Sequence, residues 1–266
     1  MDRVTLIRGS IFVSCLAVFS IMQWRIPNRP FQKGRWQYVV SNLGLVSLNN
    51  FLIGFLPIIP YQMAVLAKEN GWGALNLIEK ASATSLLEFV LIFIGILVLD
   101  LVIYFQHRLF HGVNFLWKLH SMHHIDPMLD ASSGLRFHPF EIIISNFIKV
   151  VAIVIVGVGP VAVIVFEIGL NSLAIFNHSN IKLSSQIENV TRQVLITPAL
   201  HLIHHSEIMA ESNSNFGFSV PWWDRVFGTY LGVGKCPQDQ INIGIMPMPE
   251  KKYQLFPGML IQPFIR

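Results

Sequence analysis

Charge is what this chain has least of. Only 13% of its 266 residues are Asp, Glu, Lys or Arg, while 53% are hydrophobic. Soluble domains carry about a quarter charged residues, so the chain is read as an integral membrane protein. Cysteine is almost missing. Cys15 sits in an apolar segment and Cys236 near the C-terminus, which excludes a disulfide framework or a cysteine metal knuckle. The formal net charge is +4, yet no dense basic run or basic patch interleaved with aromatics marks nucleic-acid binding. The excess fits a positive-inside membrane protein. There is no H-E-x-x-H of a zinc hydrolase, no H-P-G-G haem motif, no flavin or dinucleotide fingerprint and no C-x-x-C pair. Histidine is absent from residues 1–106 and again after His205.

Long apolar runs fill the space the charges leave. Residues 4–22 lie behind Arg3 and Arg8 and end in Gln-Trp-Arg rather than a small-residue cleavage pattern, so they read as an uncleaved first transmembrane helix. Residues 25–35 carry Arg25, Arg29, Lys33 and Arg35 with two prolines, a basic loop expected in the cytoplasm. A second helix is expected over 38–66, kinked or broken at Pro57 and Pro60. Residues 68–80 read as a turn on the opposite side, anchored by Trp72. A third helix should run from 85 to 111. Its length exceeds a hydrocarbon core of about 30 Å, so its last turns should emerge with His107 and His111 on them. Residues 140–176 are broken by Gly-Val-Gly-Pro and predict a hairpin that returns at His178. All histidine motifs then fall on one face.

The ten histidines are clustered. His107 and His111 form H-x-x-x-H. His120, His123 and His124 form H-x-x-H-H, and His201, His204 and His205 repeat it. His178 and His138 stand alone, in F-N-H-S-N and R-F-H-P. Helical spacing sets i, i+3 and i+4 side by side. Burying so many imidazoles without a metal would leave unpaired polar groups or repelling cations. Imidazole suits Zn, Cu, Fe and Ni, and a structural zinc needs only four ligands. Eight or nine histidines are enough for two metals with open positions. Two redox-capable irons beside a bilayer suggest O2 activation against a lipid C–H bond.

Six motifs resemble the fatty acid hydroxylase superfamily, nearest its sterol desaturase group, and occur in the expected order. They are D-L-V-I-Y-F-Q-H-R-L-F-H (100–111), W-K-L-H-S-M-H-H (117–124), R-F-H-P-F-E (136–141), N-H-S-N (177–180), H-L-I-H-H (201–205) and W-D-R-V-F-G-T-Y (223–230). The resemblance implies a membrane-bound di-iron oxygenase that hydroxylates or desaturates a sterol, fatty acid, sphingolipid or ether lipid. It would use two non-haem Fe ions, O2 and a separate electron donor of cytochrome b5, ferredoxin or reductase type. Its ligand motifs fall on His107, His111, His120, His123, His124, His201, His204 and His205, and its isolated histidine on His178. Lys182 stands where some relatives carry a further histidine. N-S-N-F-G (213–217) stands where relatives carry D-x-N-Y-G, so an acid beside the centre is lost.

Four more residues are candidates for ligation or support. His138, flanked by Arg136 and Glu141, reads as a neighbour of the metals, with direct ligation the alternative. Asn180 could hold a metal-bound water. Asp100 lies seven residues before His107 on the same helix face and could accept a ligand's ring N–H. Asp224 could orient a histidine or pair with Arg225. Trp222 and Trp223 read as interface anchors, and Glu167 as an intramembrane acid.

The expected fold is all-α and polytopic, with about four transmembrane helices and a cytosolic, helical, histidine-rich metal-binding cap. Residues 1–80 would hold the N-terminal helices, 81–235 the di-iron domain and 236–266 a tail that wraps the domain or lies on the membrane. The bacterial inner membrane and the endoplasmic reticulum both fit. A metal transporter or sensor is the first competing reading, but transporters place ligands near the midplane on discontinuous helices. A zinc-dependent hydrolase is the second.

Overall fold

A computed structural model describes residues 3–81 and 84–265. Among them the chain is all helical, with two isolated β-bridges and no strand. Four helices are long and apolar enough to cross a membrane: α1 (Arg3–Arg25), α5 (Ser85–Gly112), α7 (Pro139–Val156) and α8 (Pro160–His178). Between α1 and α5 come α2 (Arg35–Ile53), α3 (Pro60–Asn70) and α4 (Ala74–Ala81). The sequence signals the boundaries. Thr84 caps α5 by accepting from Leu87 N, and Pro139 and Pro160 occupy the first turns of α7 and α8. The spanning helices turn large apolar side chains outward, as Leu86, Phe89 and Phe93 do on α5, the pattern of a surface that faces lipid. The chain is an integral membrane protein.

The second apolar stretch, expected over 38–66 with a kink or break at Pro57 and Pro60, is broken there: the helix stops at Ile53 and restarts at Pro60. The two pieces still cover the distance together. Arg35, at the start of α2, pairs with Asp130 near the histidines at 2.6 Å. Gly73, just past α3, packs on Gly157 at the far end of the α7–α8 hairpin. A Cβ on Gly73 would lie 2.1 Å from Gly157 N, and both glycines have positive φ, so only glycine permits this contact. Residues 68–80 do turn at that far end, but α3 and α4 occupy most of them.

α1 runs alongside α8 in the same direction. Arg8 meets Glu167, Cys15 meets Ser172, Phe19 meets Phe176, and Gln23 Oε1 accepts from Asn180 N. The basic loop after α1 is thereby drawn over the histidine end. Arg29 donates to Ile241 O, leaving Arg25 and Lys33 as the loop's exposed cations. The C-terminal residues return over the same end, where Gln254 meets Tyr38 and Arg136, and Gln262 meets Ser121.

Candidate metal centre

The last two turns of α5 carry His107 and His111. α6 (Asn114–His124) carries His120, His123 and His124, and α8 ends on His178. After the short helix α9 (Ser185–Thr191), α10 (Pro198–His204) carries His201 and His204, with His205 as its C-cap. These four segments converge. The nine histidines form two groups whose ligand atoms lie within 4.8 Å of one another: His107, His111, His120, His124 and His204 in the first, and His123, His178, His201 and His205 in the second. His138 belongs to neither.

The grouping divides each H-x-x-H-H motif between the two sites. His120 and His124 serve the first group while His123 serves the second. On α10 the assignment is reversed, since His201 and His205 serve the second group and His204 the first. The sequence reading placed each motif on one face. That holds, but the face straddles two sites. Interleaving of this kind holds the two groups side by side, because neither helix can move without disturbing both.

Six of the nine rings are oriented from behind, while Nδ1 of His201 and of His205 is buried without a partner. Nδ1–H of His107 donates to Phe216 O at 2.9 Å, of His123 to Arg136 O at 3.2 Å, of His178 to Ala174 O at 2.7 Å and of His204 to Ser214 O at 2.8 Å. His120 donates to Glu141 Oε1 at 2.7 Å, and His111 to Asn213 Oδ1 at 3.2 Å. An Nδ1–H donor leaves Nε2 with a bare lone pair. In the pairs His107–His120 and His123–His178, where both rings donate through Nδ1, these lone pairs face each other. The Nε2–Nε2 distances are 3.1 Å for His107–His120, 2.9 Å for His123–His178, 2.9 Å for His178–His201 and 3.2 Å for His201–His205. Nε2 of His111, His124 and His204 is buried without a hydrogen-bond partner. Opposed lone pairs at such distances repel unless a cation lies between them. Nitrogen ligands about 2.0–2.1 Å from one shared ion sit about 3.0–3.4 Å apart, so the residues present fit metal binding.

Burial, and next the neighbouring imidazoles, hold His123, His124, His201, His204 and His205 well below the ordinary histidine value of 6.5. The rings are neutral at pH 7, the state that coordinates metal.

Other residues singled out in the sequence serve the frame. His138 caps α7, its Nδ1 accepting from Phe140 N and its Nε2–H donating to Leu260 O. Asn180 is occupied by the basic loop, bonding Arg29 through both ends of its amide. Asp100 accepts from Trp223 Nε1 at 2.9 Å and from no histidine, which gives Trp223 a tertiary role rather than that of an interface anchor. Asp224 pairs with neither a histidine nor Arg225. It accepts from the backbone of Phe216 and Gly217 and from Thr229 Oγ1, so it holds the loop whose carbonyl orients His107. Burial pushes its carboxyl up to about 6.

Two supports act differently from their expected roles. Glu141, named in the sequence as a flank of His138, instead holds His120 from the first turn of α7. Asn213 is the other. The acid expected there is replaced by an amide that still supplies an acceptor to His111. Arg136 is fully buried and donates to Met122 O and Gln254 O, which fixes the carbonyl on which His123 rests.

A cavity of about 630 Å³ lies beneath the centre, within the membrane-spanning helices. Phe137, Glu141 and Ala174 line its histidine end. Phe137 also stacks on the His123 ring, with centroids 4.7 Å apart.

Fold and centre define a multi-pass helical membrane protein with two adjoining histidine groups suited to metal. The model of the fatty acid hydroxylase family matches residues 92–229, and the chain belongs to that family. It is 26% identical over 174 residues to ornithine lipid hydroxylase OlsE of Rhizobium tropici, covering 65% of this chain and 50% of that protein. It is 27% identical over 225 residues to alkylglycerol monooxygenase of Xenopus tropicalis, covering 83% and 46%. It is 28% identical over 159 residues to sphinganine C4-monooxygenase 1 of Arabidopsis thaliana, covering 58% and 59%. The chain thus spans about half the length of the curated relatives it matches. No solved structure matches it.

Proposed function

We propose that the chain is a membrane di-iron oxygenase that hydroxylates or desaturates a lipid with O2 and two electrons from a separate carrier. The observation that carries this reading is the opposition of Nε2 lone pairs in two groups at the end of an intramembrane cavity. Relatives named as hydroxylases and monooxygenases of lipids support it. Hydroxylation balances as RH + O2 + 2 electrons + 2 protons to ROH + water; desaturation takes two hydrogens from the chain instead.

His107, His111, His120, His124 and His204 would hold one iron, and His123, His178, His201 and His205 the other. When bound, the iron pair supplies the reductive activation of O2. The protein's share is positioning. Glu141, Asn213 and the four carbonyls keep the Nε2 lone pairs of His120, His111, His107, His123, His178 and His204 aimed inward. Phe137 joins the cavity wall to the His123 ring, so a chain lying in the cavity ends against the second group. The histidine end faces the cytoplasm in this reading, with the basic loop of Arg25 and Lys33 beside it, where an acidic electron carrier could dock.

The test is a lipid comparison between cells carrying the wild-type chain and cells carrying His123→Ala. We expect a class of lipids with one added oxygen or two fewer hydrogens in the first culture alone. Identical lipids in both, with both proteins inserted in the membrane, would sink the reading.

A further inference from the structure

The cavity has a second end. There Arg8 of α1 and Lys149 of α7 converge on Glu167 of α8, at 2.7 and 3.0 Å to its two carboxylate oxygens. All three residues line the cavity. Glu167 is 9% exposed and Lys149 14%. Two cations share one carboxylate, so the trio carries one excess positive charge inside the membrane-spanning helices. Charge there is costly unless paired. Among the described residues the one other acid on the cavity wall, Glu141, is engaged by His120 at the opposite end. The remaining polar wall near the trio is neutral, with Ser145, Asn146 and Asn171. Between the ends the wall is mostly apolar, with Phe12, Ile103, Ile142, Leu135 and Leu170, interrupted by neutral polar side chains such as Asn49, Asn50 and Gln106.

We propose that this cavity binds a single-chain amphiphile with an anionic head, a carboxylate or a phosphate monoester, held by Arg8 and Lys149 while its tail reaches the histidine centre. The volume lies within the range of about 300–1,000 Å³ typical of one ligand. An anion completes the charge balance and takes the donor hydrogens that Glu167 leaves unused on the guanidinium and ammonium groups. The fold also sets a ruler. Glu167 and His178 lie on α8 with 11 residues of rise between them, about 16 Å at 1.5 Å per residue. That equals roughly a dozen carbons of extended chain, from a C–C bond of about 1.52 Å. Oxidation should fall about that far from the head. The position of oxidation rests on the lipid-oxygenase reading; the binding does not.

The experiment measures binding to the metal-loaded full chain in neutral-detergent micelles. The probes are a saturated C18 carboxylate, alkyl phosphate, alcohol and primary amine. One or both anions should bind about tenfold or more tighter than the alcohol, the scale of one charge-assisted hydrogen bond. The preferred anion identifies the head. Arg8→Gln and Lys149→Gln should each erase most of that advantage, with metal content unchanged as the check on folding. Glu167→Gln should retain it. Equal binding of alcohol and anions, tightest binding of the amine, or full anion preference in both Arg8→Gln and Lys149→Gln would overturn the proposal. If Arg8→Gln does not fold, Lys149→Gln decides alone. Anion binding without any lipid product would leave this site standing and sink the oxygenase. Lipid product without anion preference would do the reverse.

Discussion

Glu141→Ala should empty one metal site and leave the other filled. Glu141 Oε1 lies 2.7 Å from His120 Nδ1, and both side chains are almost fully buried. His120 is a member of the first group only. Truncation leaves a buried Nδ1–H without its acceptor, at a cost of about 1–3 kcal/mol. Loss of a partner behind a metal-bound histidine lowers metal affinity by about 10–100-fold, or about 1.4–2.8 kcal/mol. The second group has no bond to Glu141 and should keep its affinity. The assay is metal content per chain against buffered free iron, at a level that just saturates the wild type. Wild type should hold two ions and Glu141→Ala close to one. Glu141→Gln, which keeps an acceptor oxygen, should fall between. Two ions at unchanged affinity in Glu141→Ala, or equal weakening of both, would refute the division into two groups.

Further outcomes follow from other contacts. Gly134→Ala should weaken the second site selectively, because a Cβ there would lie 2.5 Å from Ala174 O, the acceptor of His178 Nδ1; metal counting checks it. His138→Ala should keep both metals yet lower thermal stability by about 0.5–2 kcal/mol, the usual value of a helix cap, measured as a Tm shift in detergent. The metal-free protein should lose stability as pH falls below 6.5. His123, His124, His201, His204 and His205 are held below that value when folded. The unfolded chain therefore binds more protons there, and unfolding becomes easier as pH drops. Bound metal competes with those protons and should shift the loss to lower pH. A metal-free Tm that stays flat from about pH 7.5 to 5.5 would contradict this linkage.

The sequence carried the parts of this protein that local pattern controls. Runs of apolar residues located α1, α5, α7 and α8, and Gly157 with Pro160 located the hairpin turn. Histidine spacing placed the rings of H-x-x-x-H and of each H-x-x-H-H on one helix face. The partition of those rings is a tertiary property: His123 and His124 are adjacent in sequence, yet they serve different groups because α8 supplies His178 on one side and α5 supplies His111 on the other. The supports were hidden for a different reason. Four of the acceptors behind the rings are backbone carbonyls, which have no signature in sequence. Asp100 shows the converse, since its helical register with His107 was correct but Trp223 arrives from more than a hundred residues away and takes the carboxylate. The break between α2 and α3 came at Ile53, ahead of Pro57, where Gly54 and the following loop end the helix.

The central claim is that two histidine groups hold two irons. Metal analysis of the full chain, purified without chelators from cells grown with ample iron, tests it most directly when joined to Mössbauer spectra of the same sample. The account predicts close to two irons per chain, in two nitrogen-rich environments of four and five histidines. One metal per chain, or stoichiometric zinc in place of iron, would contradict it.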